Sequence, residues 1–226
     1  IQPNVDPYFE KYRLGFEEQL DSMLFLVSAD QLSASDYLIA PETALTEDIW
    51  ENDLERSITI PRIKKIIADH PQLNFVSGLT SYYLFEESEE RSATARQFSN
   101  NTRWYDAYNA AIQINNTENI EFYHKSKLVQ GVEKMPFASF LKPLESLALD
   151  LGGTIGSLGS QEEAEVFTSH NGKIKIAPVI CYESIYGEYV GEYVKAGANL
   201  IFIITNDGWW GDGPGYAQHL AYARLR

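Results

Sequence analysis

KIKIAPVICYE, residues Lys173 to Glu183, first alternates and then saturates with apolar β-formers. That is the pattern of a strand that begins at a sheet edge and ends buried. The only cysteine of the chain, Cys181, follows directly. At the carboxyl end of a buried strand its sulfur lies where open α/β sheets bind ligands. A core cysteine packing as a small hydrophobe is the plainer alternative. Tyr182 and Glu183 weigh against it, because a carboxylate at such a position is solvated or paired rather than buried alone.

Upstream, Asn171-Gly172 is a strong turn signal, so Glu165 to Thr168 and Lys173 to Ile180 are read as a hairpin. Downstream, Tyr186 to Ala196 is helical up to Gly197, and Leu200 to Thr205 (LIFIIT) reads as a fully buried strand. That strand empties into Asn206-Asp207-Gly208-Trp209-Trp210-Gly211, and a helix starts at Tyr216. Toward the amino end, apolar residues at three- and four-residue intervals predict an amphipathic helix over Phe9 to Val27. Asp36 to Ala40 is a short strand closed by Pro41, with Glu42 in the loop beyond. Ile60 to Ala68 is a helix with Pro61 in its first turn, and Asn74 to Leu84 the next strand. Gly78 inside it signals a bulge or a close backbone approach.

Glu86 to Arg96 reads as a loop or hairpin tip, and Tyr105 to Ile114 as a strand turned at Asn115-Asn116 into Ile120 to Tyr123. Then comes the polar YHKSKLVQGVEKMPF, a short helix over Leu141 to Leu151, and a glycine-rich stretch from Gly152 to Gly159, flexible or close to a ligand. Strands alternating with helices predict a layered α/β fold, as one domain over 1–226.

With 18 basic against 32 acidic residues the net charge is −14. No basic stripe is present, which argues against a nucleic-acid partner, and anionic lipid surfaces would repel the domain. No apolar run approaches a membrane span. Both ends read as cut: IQPN resembles the exit of a strand, and AYARLR stops inside a helical pattern. The four histidines lack metal-ligand spacing, and no cofactor motif is complete.

Glu42, Lys125, Cys181 and Asn206 each fall just past a strand end. If those strands are parallel neighbours, a carboxylate, an ammonium and a thiol converge on one rim. A thiol attacks as its thiolate, so a glutamate can take its proton while a lysine stabilises the charge that develops.

Pro41-Glu42, Tyr123-x-Lys125 and Ile180-Cys181-Tyr182-Glu183, in that order, resemble the Glu-Lys-Cys triad of the nitrilase superfamily. YHKSKLV followed by Glu133, the ICYE tetrapeptide and NDGWWGDGPGYAQHLAYARLR are similar, within it, to the apolipoprotein N-acyltransferase family of the bacterial inner membrane. The resemblance implies a four-layer αββα sandwich, C-terminally truncated, as the periplasmic catalytic domain of a longer membrane protein. It implies Glu42 as general base, Lys125 rather than Lys127 as oxyanion stabiliser, and Cys181 as nucleophile. It also implies Glu133, Tyr182 and Glu183 as supporting residues. Where many members read V-P-F-G-E, this chain has Val129-Gln130-Gly131-Val132-Glu133, and Tyr12 stands where some relatives carry a functional tryptophan.

The implied reaction is acyl transfer from a phospholipid to Cys181 and then to the N-terminal amine of a diacylglyceryl-cysteine lipoprotein. Trp209, Trp210 and the glycine-rich stretch are lid or membrane-facing candidates. Two alternatives stand beside it: a soluble amidase using the same triad on a small amide, and a nitrilase-like scaffold that only binds.

Overall fold

The computed structural model describes residues 1–7, 9, 11, 13–134 and 157–226. Tyr12, the expected helix over Leu141 to Leu151 and most of the glycine-rich stretch lie outside the described residues.

The first helix is shorter than its periodicity suggests. α1 spans Phe16–Phe25, with Gly15 extended at its start and Glu17 and Glu18 in the first turn. Residues before it turn instead, with Asp6 accepting from the Phe9 N–H and leaving the Phe9 ring exposed. α2 (Ala29–Ser33) opens with a capping box between Ser28 and Gln31. α3 spans Thr59–Asp69 and buries Ile60, Ile63 and Ile67 at helical spacing, each contributing roughly 2 kcal/mol of apolar burial.

The larger sheet is organised on β3 (Asn74–Phe85) and its antiparallel partner β5 (Trp104–Ile114). β1 (Tyr37–Ile39) and β2 (Leu45–Trp50) both run parallel to β3, one beside its first half and one beside its second. They form one interrupted edge, and the interruption carries Glu42. β2 has no counterpart in the sequence reading, because LTEDIW carries two acids and only Leu45 and Ile49 turn inward. On the far side of β5, β4 (Arg96–Gln97) and β6 (Glu121–His124) leave a second interruption, where Lys125 N–H bonds the Asn109 carbonyl at 2.8 Å.

The smaller sheet has the order β7-β8-β9, from Phe167–Thr168, Lys175–Ile180 and Leu200–Ile204. The first two form the expected hairpin, with Gly172 at φ +71°. β9 is not the fully buried strand that LIFIIT suggests. Only Ile204 is buried, because among the described residues β9 is the sheet edge and pairs on one side alone. α4 (Gly187–Lys195) and α5 (Gly215–Ala223) complete the described chain.

Alternation along β3 explains the layering. Phe75 and Leu79 face one cluster with Leu20 and Met23 of α1 and the isoleucines of α3. Val76 faces the other, with Ala111, Tyr123 and the β8 residues Ile176, Ala177, Val179 and Ile180. The two sheets therefore pack face to face, with α1 and α3 outside the larger one. β8 is buried throughout from Ile176 to Ile180, and Tyr189, Val190 and Tyr193 of α4 join its cluster. This is the αββα sandwich.

Candidate active site

The convergence of Glu42, Lys125 and Cys181 comes from two sheets rather than from parallel neighbours in one. β1 and β6 point the same way in the larger sheet, since β3 and β5 between them are antiparallel. Glu42 and Lys125, each just past its strand, therefore leave at the same end of the sheet, with two strands between them. Cys181 and Asn206 come from β8 and β9 of the facing sheet.

The Glu42 turn is seated against β3. Gly78 accepts the close approach its position signalled: a Cβ there would lie 2.5 Å from Glu42 Cα and 2.5 Å from Thr43 N. Gly78 N–H also bonds the Pro41 carbonyl. Thr43 pays for the tight path with φ +50°, in the left-handed region that non-glycine residues rarely occupy.

Lys125 is 1% exposed and lies 3.0 Å from Glu42 Oε1 and 2.9 Å from Glu133 Oε1. Asn109, which the sequence reading overlooked, bridges the same two carboxylates, donating to Glu42 at 2.8 Å and to Glu133 at 2.5 Å. Val129 N–H bonds the other Glu133 oxygen at 2.8 Å, so the loop before Glu133 holds it in the cluster despite its unusual sequence. Lys127 is elsewhere, its ammonium over the Tyr189 ring.

Burial disfavours the charged forms, and the cluster overrides it. For Glu42, burial pushes the carboxyl up, but Lys125, Asn109 and the Asn206 N–H at 3.3 Å hold it below the usual range. For Lys125, burial pulls down, and Glu42, Glu133 and Cys181 together raise it above the ordinary lysine value. Cys181 is pushed up to about 12, by burial first and the Glu42 carboxylate second, with Lys125 opposing. The resting state is thus an ionised carboxylate, an ammonium and a neutral thiol, with Glu42 and Thr205 beside the thiol. A carboxylate able to accept a proton stands beside a thiol that still carries its own.

Cys181 itself has φ +48° at the turn from β8 into the 3-10 segment Cys181–Ile185. A side chain in that region costs about 1–2 kcal/mol, and such strain collects where geometry serves a site. Glu183 holds the turn. Fully buried, it accepts from Ile180 N–H at 2.9 Å, and from Tyr123 O–H at 2.6 Å, Ser126 N–H at 2.7 Å and Lys127 N–H at 3.3 Å. Burial raises its carboxyl pKa against those donors. It thereby ties the Cys181 turn to the loop carrying Lys125. His219 of α5 bridges the Cys181 carbonyl at 2.9 Å and Asp207 at 2.8 Å, and Arg226 donates to the Ser184 and Ile185 carbonyls.

Tyr182 stacks edge-on against Tyr186 rather than joining the cluster. Trp209 and Trp210 are exposed in the Asp207–Trp210 turn. Gly159, at the end of the glycine-rich stretch, is pinned to β5 through the Ala107 carbonyl, with Tyr108 where its Cβ would stand. Among the described residues no cluster of histidine, cysteine and carboxylate is placed to hold a metal ion.

The model of the carbon-nitrogen hydrolase family matches residues 82–226. The chain is 31% identical to the apolipoprotein N-acyltransferase of Chlorobaculum tepidum, covering 100% of this chain and 42% of that protein. It is 38% identical over 109 residues to the enzyme of that name from Brucella suis, covering 45% of this chain and 18% of the other. The chain thus spans less than half the length of the curated relatives it matches. Among solved structures, a carbon-nitrogen hydrolase from Helicobacter pylori G27 superposes with a TM-score of 0.53 at 11% identity, covering 93% of this chain and 64% of that one. A CN-hydrolase superfamily protein from Xanthomonas campestris gives 0.50 at 14% identity, covering 88% and 62%. At such identities the likeness concerns the fold alone.

Proposed function

Because this chain belongs to the carbon-nitrogen hydrolase family, we propose that it is the catalytic domain of an apolipoprotein N-acyltransferase using Cys181 as nucleophile, Glu42 as general base and Lys125 as electrophilic partner. The observation that carries the chemistry is the buried Glu42-Lys125-Glu133 cluster facing a thiol on a strained turn. Likeness along the whole chain to a relative of that name supports the transferase over a soluble amidase.

In the first stage, Glu42 accepts the thiol proton as the sulfur attacks the sn-1 ester carbonyl of a phospholipid. Two Lys125 N–H groups are engaged by Glu42 and Glu133, and the third is the donor for the developing oxyanion. Collapse expels the lysophospholipid alkoxide, which recovers the proton from Glu42, and leaves a thioester. In the second stage, the α-amine of a diacylglyceryl-cysteine attacks the thioester, Glu42 takes the amine proton, and sulfur leaves and is reprotonated. Water must be excluded in between, since it competes with the amine. Glu133 and Asn109 position the charges; Glu183 positions the turn.

In this reading the domain works at the periplasmic face of the bacterial inner membrane, anchored by parts of a longer protein. Trp209 and Trp210 suit a membrane interface. The test uses full-length protein in detergent with phosphatidylethanolamine and a diacylglyceryl-cysteine peptide. Lysophospholipid release matched by N-acylated peptide is expected. Ammonia release from small amides with no lipid turnover would overturn the proposal in favour of the amidase.

A further inference from the structure

Beside Glu42 lies a cavity of about 330 Å³, whose lining includes Lys11, Glu42, Thr43, Thr205 and Asn206. Its lining includes Glu42 and Thr205, the two side chains that act on the Cys181 thiol, so a molecule filling it lies next to the surroundings of the reacting sulfur. We propose that Lys11 binds the anionic phosphodiester of the acyl donor in this cavity. This rests on the reading of the donor as a phospholipid.

The cavity is lined by three carboxylates and, among the described residues, by one lysine or arginine, Lys11. Its carboxylates are engaged by the protein: Glu42 with Lys125 and Asn109, Asp207 with His219 and Thr205, and Asp6 with the Phe9 N–H. The Lys11 ammonium makes, among the described residues, one hydrogen bond, to Thr43 Oγ1, and lies 5.9 Å from the centre of the Trp209 ring. Three N–H donors with one partner leave capacity for an anion. Burial lowers the Lys11 pKa, with the Glu42 carboxylate opposing, and a bound phosphodiester would restore it. Lys11 sets a cation into the wall of this cavity in a chain of net charge −14, which otherwise repels anionic ligands. The cavity falls in the range that holds a small ligand group, so it suits a headgroup and glycerol rather than two acyl chains. In a glycerophospholipid the phosphate and the sn-1 ester sit on opposite ends of a three-carbon backbone. Phosphate at Lys11 therefore leaves the ester toward Glu42 and Cys181.

Lys11 also supports the strained Thr43, so loss of rate alone would not separate binding from scaffolding. The decisive quantity is donor preference. Full-length protein is given phosphatidylethanolamine or diacylglycerol with the same acyl chains, in the same micelles, and acyl-enzyme formation is followed. In Lys11→Gln the preference for the phosphate-bearing donor is expected to fall about 10- to 100-fold, the worth of a charge-assisted hydrogen bond. Lys11→Arg, which keeps a phosphate-binding cation, should retain most of it. A Lys11→Gln enzyme that keeps the wild-type preference, whether slowed or not, overturns the assignment. Wild-type protein that acylates from neither lipid overturns the proposed function as well, a separate outcome. A donor preference unchanged in Lys11→Gln, together with a diacylglycerol rate that millimolar inorganic phosphate modulates in the wild type but not in Lys11→Gln, would overturn the assignment and give the site to free phosphate instead.

Discussion

Replacing Lys125 by methionine should reverse the sign of the protein's acid response. Lys125 is 1% exposed and is the cation within 3.0 Å of Glu42 and 2.9 Å of Glu133. Met keeps the volume and removes the charge, leaving two buried carboxylates sharing the Asn109 amide. Breaking a buried pair by removing one partner destabilises by about 3–5 kcal/mol, because the other charge is left uncompensated. For a protein of this size that is a fall in Tm of about 6–20 °C at neutral pH.

The pH dependence separates this cause from simple loss of packing. In the wild type Glu42 titrates below its unfolded value. Its contribution to stability is present above the unfolded carboxylate pKa and fades as pH falls through the folded one. In Lys125→Met Glu42 loses the charge that held it down, and burial pushes its folded pKa above the unfolded one. Its effect is then reversed: the variant is least destabilised at low pH, and the deficit grows as pH rises above the ordinary carboxylate range. Thermal unfolding of both proteins from mildly acidic to neutral pH reads this directly. Adding Glu133→Gln to Lys125→Met should recover part of the neutral-pH loss. A deficit of the same size at every pH, or no recovery in the double variant, would refute the reasoning.

Other perturbations test the turns and the protonation states. Gly78→Ala places a Cβ 2.5 Å from the Glu42 backbone; it should destabilise by about 1–3 kcal/mol and lower acyl-enzyme formation by displacing the base, both measurable on one preparation. Glu42→Gln removes the second-largest cause of the raised Cys181 pKa, so the pH midpoint of iodoacetamide alkylation should move down from about 12. In the same variant acyl-enzyme formation should fall about 10²- to 10⁴-fold; a midpoint that stays or rises contradicts the electrostatics. Cys181→Gly relieves φ +48° where Cys181→Ala does not. Denaturant unfolding should find the glycine variant more stable by about 1 kcal/mol, after subtraction of glycine's larger unfolded-state entropy.

What the sequence revealed, and what it concealed, follows from how far each signal reaches along the chain. The strand ending at Cys181, the Asn171-Gly172 hairpin and the Gly197 cap are local, and each stands where its residues placed it. Gly78 announced a close approach, but only the folded chain shows that Glu42 is what approaches. The meeting of two sheets is not written in any one strand, so convergence on one rim was legible while its origin in facing sheets was not. Asn109 is the instructive omission. An amide inside YDAYNAAIQI is a poor strand former, and its burial makes sense only once two carboxylates surround it. The N-terminal periodicity misled in the other direction: Phe9 continues the helical spacing, yet Asp6 and Gly15 turn the chain before the helix begins.

Everything depends on Cys181 carrying the acyl group. The most direct measurement is peptide-mapped mass spectrometry of the full-length protein quenched during turnover with phosphatidylethanolamine. The account predicts one fatty-acyl increment on the Cys181 peptide, discharged by the amine acceptor and absent in Cys181→Ala. Turnover with that peptide unmodified, or an acyl group on any other side chain, would contradict it.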